Sequence, residues 1–223
     1  METFLQKVGF FKFITLMLMI FPTCTHKYPS SSQRDQKRYR IYIDAGSSGS
    51  RLGIYEVTGW APHLEIRELG SKSTDSGVGI HLLLKDRKQI PAYLDPLFSY
   101  AEEFLGKETF DQVPVYIYAS GGVRSLGRSD QKIIIKELEG YLGEQKKIKR
   151  FWVKVLTGEQ EGIFGWMTVN FLQGNFLKGP LHTSGVVDMG GASIQITFVP
   201  KDLRNIDEAS LIPMKISGNL YQI

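Results

Sequence analysis

Residues 40–44 read RIYID, an alternation of apolar and polar positions rich in β-branched and aromatic side chains, which predicts a strand. A Gly/Ser turn, GSSGS at 46–50, follows, and residues 52–57 predict the returning strand. Residues 64–69 alternate again and predict a third strand, while 74–79 reads as loop. Across 88–105, Ile90, Tyr93, Leu94, Leu97, Phe98, Ala101 and Phe104 recur at helical spacing. Pro91 sits in the first turn, where its missing N–H costs nothing. Residues 113–119 (VPVYIYA) are an apolar run of the buried-strand type. A second amphipathic helix is predicted over 130–145, capped by Ser129. A strand at 151–156, an apolar-rich helix at 159–172, and strands at 186–189 and 194–199 around another glycine turn complete the reading. A three-strand meander followed by alternating helices and strands predicts an α/β fold with a mixed sheet.

Composition agrees with a folded body. Of 223 residues, 42% are apolar and 22% charged, which excludes disorder for the bulk of the chain, and one Cys excludes an intrachain disulfide framework. The net charge of +4 lies entirely in residues 1–38, leaving a neutral body without the basic stripe that a nucleic-acid partner requires. The one basic cluster of the body, Lys146, Lys147, Lys149 and Arg150, reads as the exposed C-terminal end of a helix. In the leader, Lys7 and Lys12 precede the uncharged run FITLMLMIF at 13–21. That run is shorter than the roughly 20 apolar residues of a spanning helix. Residues 1–24 are therefore expected to be a signal peptide or signal anchor, and 25–38 a polar linker. Both place the body outside the cytosol, secreted, periplasmic or lumenal, and the anchor reading adds membrane attachment through the N-terminal segment.

Two glycine turns carry the candidate chemistry. The first is Asp44-Ala45-Gly46-Ser47-Ser48-Gly49-Ser50-Arg51, and the second Asp188-Met189-Gly190-Gly191-Ala192-Ser193. Each begins with an acid at a strand end and continues into small residues, whose backbone N–H groups can approach an anion closely. The strand-end Asp can hold a divalent cation beside the phosphates it neutralises. One such turn alone reads as a plain hairpin; two of the same design argue against it. There is no Walker A sequence. A third small-residue stretch, 119–124 (ASGGVR), follows the strand at 113–119 and by itself fits a simple strand-to-helix turn. A fourth, 157–162 (TGEQEG), opens a helix. A carboxylate there could deprotonate water for phosphoanhydride cleavage, although either Glu also simply complements the helix dipole.

Together these elements resemble the ecto-nucleoside triphosphate diphosphohydrolases, the apyrase family. The resemblance rests on the order and spacing of DAGSSGSR at 44–51, YASGGVRSL at 118–126, LTGEQEGIFGWMTVNFL at 156–172 and VVDMGGASIQITF at 186–198. It implies an actin-like, ribonuclease-H-like α/β fold of the sugar kinase–Hsp70–actin superfamily. Residues 39–157 would form the first actin-like domain and 158–223 the start of an incomplete second one. It implies metal-dependent hydrolysis of nucleoside tri- and diphosphates, with Ca²⁺ or Mg²⁺ as cofactor. By position, Glu161 would be the catalytic base, with Glu159 less demanding. Ser47, Ser48 and Gly49 would cradle the terminal phosphate. Ser120 and Gly121 would support the catalytic water and the metal shell. Gly190, Gly191, Ala192, Ser193, Ile194 and Gln195 would bind the other phosphates, and Asp44 and Asp188 the hydrated cation. Trp166 is expected in the core, and His63, His81 and His182 at the surface or satisfied.

Gly49-Ser50 and Ser120-Gly121 depart from the His-Thr and Thr-Ala common in the family. The chain stops at Ile223, shortly after the fourth motif, whereas family members continue for about as long again. Two other readings compete: an exopolyphosphatase-like hydrolase of the same superfamily, and a non-catalytic phosphate-binding fragment.

Overall fold

The structure, a computed structural model, describes residues 37–59, 65–74, 77–216 and 218–223. The expected leader, most of the linker and His63 lie outside the described residues. Those described fall into two compact units: one holds residues up to Thr157 together with Gly190–Ala192, the other Gly158–Met189 and Ser193–Ile223.

The first unit is built on a five-stranded sheet. Its strands are β1 (Arg38–Ala45), β2 (Ser50–Thr58), β3 (Glu65–Ser73), β4 (Val115–Ala119) and β5 (Phe151–Val155), in the order β3-β2-β1-β4-β5. β2 runs antiparallel to β1 and β3, because the four-residue 46–49 turn permits only a hairpin. β4 and β5 run parallel to β1 and to each other, which demands crossovers. Helix α1 (Ile90–Leu105) and a short α2 (Lys107–Phe110) lie in the first crossover. A short α3 (Gly121–Arg124) and α4 (Arg128–Gly140) lie in the second.

Alternation along the strands sorts the side chains. Ile41, Ile43 and Ala45 of β1 and Val115, Ile117 and Ala119 of β4 are buried in one core with Leu94, Leu97 and Phe98 of α1 and Ile134 and Leu138 of α4. The intervening positions form a row on the opposite face. Tyr42, Tyr116 and Trp152 are register partners and stack at 4.6 and 4.7 Å between ring centroids.

Four expectations need correcting here. Residues Ile80–Gln89 wind into a 3₁₀ segment, broken at Asp86 (φ −137°, ψ 74°), so the helix begins at Ile90. Helix α4 begins at Arg128 with Gly127 in the cap position, and Ser129 lies inside the helix and caps nothing. Its α-helical winding ends at Gly140. Tyr141–Gln145 then widen into a π turn, in which the Lys146 N–H bonds Tyr141 O at 2.9 Å and Lys147 adopts φ 55°. Gly140 and Gly143 make that widening cheap. Lys146 is not a free surface charge. It pairs with Asp95 at 2.7 Å and stands 5.6 Å over the Tyr141 ring, whose hydroxyl donates to the same Asp95.

The second unit comprises helix α5 (Gly158–Leu172) and two hairpins, β6 (Val186–Met189) with β7 (Ile194–Thr197) and β8 (Pro213–Ile216) with β9 (Asn219–Gln222). Trp166 is fully buried, as expected, and meets Phe176 and Tyr221 edge-on at 5.5 and 5.7 Å. Asn170, one turn later, accepts the Ser184 N–H at 2.7 Å and donates to Trp166 O and Ser184 O, tying the approach to β6 onto the helix.

Candidate active site

The 46–49 turn of the first unit is held from below by a hydroxyl network. Ser50 N–H donates to Thr74 Oγ1 at 2.9 Å, and Thr74 N–H returns to Ser50 O at 2.8 Å. Tyr93 Oη lies 2.9 Å from Val78 O, 3.0 Å from Ser50 Oγ and 3.3 Å from Thr74 Oγ1. A carbonyl only accepts, so Tyr93 donates to Val78 and receives both side-chain hydroxyls. The loop is thus fixed by side chains from α1 and from the end of β3. The sequence reading counted Tyr93 only as a helix-spacing residue.

Asp44 stands at the penultimate position of β1 and is half-buried. Ser48 is exposed, and Ser47 and Gly49 are partly so. Ser120 is buried at the end of β4, where its N–H bonds Ala45 O at 3.2 Å, and Gly121 opens α3. The β1 and β4 ends that carry Asp44 and Ser120 are therefore zipped together. Arg124 braces this end by donating to Leu156 O at 2.9 Å. Gly191 belongs to the same unit, and a Cβ there would stand 2.7 Å from Ser47 Oγ. His81 departs from its expected place: its Nδ1 is buried and unpartnered beside Gly79 and Gly122, whereas His182 is exposed.

In the second unit the chemistry converges on the first turn of α5. Glu161 is 2% exposed and accepts a hydrogen bond from Gln195 Nε2 at 3.3 Å, while Glu159 faces solvent. The two glutamates are two helical positions apart and cannot share a face. Gln195 pairs across the hairpin with Asp188. Burial first, and the nearby Glu161 carboxylate second, push Asp188 up to about 6. Asp188 Oδ2 is buried without a hydrogen-bond partner. Gly162 permits this packing, since a Cβ there would lie 2.5 Å from Thr197 Oγ1 and 3.3 Å from Gln195 Cβ. Ser193 is half-buried, and Ile194 is 59% exposed.

A divalent cation fits this chemistry. Among the described residues no three His, Cys, Asp or Glu side chains cluster as a protein-only metal cage. An orphaned buried carboxylate oxygen beside a second carboxylate suits an ion held by one or two acids and otherwise by water and phosphate, the habit of Mg²⁺.

The sheet order β3-β2-β1-β4-β5, with β2 antiparallel and β1, β4 and β5 parallel, is that of a ribonuclease-H-like α/β fold. Residues 30–221 match the GDA1/CD39 (nucleoside phosphatase) family, and the chain belongs to it. It is 35% identical to a probable apyrase 1 of Oryza sativa over 72% of this chain and 33% of the relative. It is 33% identical to a guanosine-diphosphatase of Schizosaccharomyces pombe (80% and 32% covered) and 30% identical to ectonucleoside triphosphate diphosphohydrolase 1 of Rattus norvegicus (97% and 44%). The chain thus spans less than half the length of these relatives. A crystal structure of nucleoside triphosphate hydrolases from Neospora caninum shares its fold, with a TM-score of 0.58 at 18% identity, over 86% of this chain and 45% of that one.

Proposed function

We propose that the chain carries the phosphate-binding and water-activating parts of a hydrolase that cleaves the terminal phosphoanhydride of nucleoside tri- and diphosphates. The observation that carries this reading is Glu161, a carboxylate 2% exposed in the first turn of α5 and oriented by Gln195. Glu161 takes a proton from water as the water oxygen attacks the terminal phosphorus. The bond to the bridging oxygen breaks, and the shortened nucleotide leaves with that oxygen. Ser47, Ser48 and Gly49, with Ser120 and Gly121, supply hydroxyl and backbone donors for the terminal phosphate. The 190–195 stretch supplies donors for the others. Asp188 and, in the other unit, Asp44 are the carboxylates offered to Ca²⁺ or Mg²⁺. The bound cation would neutralise phosphate charge as it develops. The ectonucleoside relative supports an extracellular or lumenal setting. Among the described residues no helix is long and apolar enough to cross a membrane.

The test measures phosphate release from ATP, ADP and polyphosphate, with Mg²⁺ or Ca²⁺ and with excess chelator, for the wild type, Glu161→Gln and Glu159→Gln. Cation-dependent release from both nucleotides is expected. Glu161→Gln should lower turnover by about 10²–10⁴-fold while nucleotide binding persists, and Glu159→Gln should change it little. Equal activity in all three variants would remove Glu161 from the role. Release from polyphosphate alone would favour the exopolyphosphatase reading.

A further inference from the structure

Gly79 and Gly122 flank a space already filled by the imidazole of His81. A Cβ on Gly122 would stand 2.7 Å from His81 Nδ1 and 2.9 Å from Ser47 Cα. A Cβ on Gly79 would stand 2.7 Å from the same Nδ1 and 2.5 Å from Ser47 O. The ring therefore stands close to the Ser47 backbone of the 46–49 turn, with Gly79 and Gly122 beside both. Its Nδ1 is buried and makes no hydrogen bond, a cost that an apolar ring of the same shape would not carry.

Charged groups on the surrounding elements do not compensate. Asp95 of α1 is held by Lys146, and Glu137 of α4 by Arg87. Arg124 of α3 is engaged with Leu156 O, Asp44 stands half-buried at the penultimate position of β1, and Lys85, Asp86 and Lys88 of the histidine's own segment are exposed. None of them moves the titration of His81, which burial alone lowers. Burial thus holds the ring neutral near pH 7.

We propose that His81 is a charge-linked residue of the oxyanion site, so that a phosphate-type anion in the 46–49 turn and a proton on His81 each favour the other. This rests on the phosphate-binding reading of that turn. An anion received by its backbone N–H groups brings negative charge to a turn whose Ser47 backbone lies close to the imidazole, across the space that a Cβ on Gly79 or Gly122 would enter. At so short a range that charge stabilises the imidazolium. Linkage makes the effect reciprocal: the anion binds more tightly when His81 is protonated and leaves more readily when it is not. For a phosphatase, the group that senses the anion would also ease release of the product phosphate.

Sulfate is the probe, because it does not titrate between pH 5 and 8. Its affinity for the full chain is measured by calorimetry at pH 5.5 and 7.5, for the wild type and for His81→Phe, whose ring fills the same space. NMR follows the His81 imidazole titration with and without sulfate. The expected result is a wild-type affinity about five-fold higher at pH 5.5, beyond any change in His81→Phe, with the His81 titration moved to higher pH by sulfate. An equal pH dependence in His81→Phe, or a wild-type titration that sulfate leaves in place, overturns the proposal. The wild-type NMR arm decides even where the variant is unstable. Failure of sulfate to bind at either pH would sink the phosphate-turn reading itself, a separate result.

Discussion

Burial and the Glu161 carboxylate push Asp188 up to about 6, so a proton is held more firmly by the folded state than by the unfolded chain. For an acid raised in this way, the stabilisation is complete below the ordinary value of 3.8 and is lost as pH rises through about 6. Asp188 is partly open to solvent, so the screened cost at neutral pH is on the order of 1 kcal/mol. Asp188→Asn should therefore raise Tm at pH 7.5 and flatten the Tm change between pH 4 and 7. Millimolar Mg²⁺ or Ca²⁺ should raise the wild-type Tm at pH 7.5 and leave the variant unmoved. A variant that loses stability at pH 7.5, or that keeps the metal response, contradicts the assignment. The two glutamates of the Glu-Gln-Glu run show what sequence could and could not decide. Helix-dipole chemistry favours both equally, and only packing separates an exposed Glu159 from an enclosed Glu161. The hydrogen bond from Gln195 spans 34 residues of chain, a pairing that no local pattern encodes.

Helix α5 approaches β7 so closely that Gly162 acts as a spacer. In Gly162→Ala the new methyl would meet Thr197 Oγ1 and push the helix from the strand, separating Glu161 from Gln195. Overpacking of this kind costs about 1–3 kcal/mol. The loss should appear in chemical denaturation, and Thr197→Ala, which removes the opposing oxygen, should restore much of it in the double variant. Tyr93→Phe tests the other unit. Losing a hydroxyl that serves Val78, Ser50 and Thr74 should cost about 1–3 kcal/mol and speed amide exchange at Ser50 and Thr74. Periodicity located the strands of the first unit and α1 to within a few residues, because one face of each is buried against a single core, but it did not find β8 and β9, each only four residues long. It missed the 3₁₀ segment at Ile80–Gln89, where Ile80 is buried and Leu83 and Leu84 partly so, but the five residues that follow are all exposed and carry no apolar stripe on into α1. It also ran α4 on to Gln145, since a π turn leaves Tyr141 and Leu142 buried much as an α turn would. The Ser129 cap failed because Gly127, two residues earlier, already supplies an extended residue from which the helix can start.

The two units are not equally provided for. The first has a core shared by a five-stranded sheet and two long helices. The second relies on a small cluster around Trp166, Phe176 and Tyr221 and on two-stranded hairpins, which are marginal by themselves. The hairpin of β6 and β7 also turns Val187, Met189, Ile194 and Ile196 to solvent as two apolar cross-strand pairs. Calorimetry should accordingly resolve a lower transition for the second unit, and the slowest-exchanging amides should lie in β1 and β4. A single cooperative transition in which α5 is protected as strongly as β1 would refute this inequality.

The row of stacked rings on the first sheet has an optical consequence. Tyr42, Tyr116 and Trp152 lie nearly parallel, at interplanar angles of 12° and 8°, across three adjacent strands. Rings so fixed couple their transition dipoles and pass excitation from tyrosine to tryptophan, giving near-ultraviolet dichroism that vanishes once the strands part. Trp152 is 49% exposed and should emit to the red, whereas Trp166, wholly enclosed in the other unit, should emit to the blue. The described residues of each unit thus carry one tryptophan, and once Trp60, which lies outside them, is replaced by Phe, light alone can report which unit has opened.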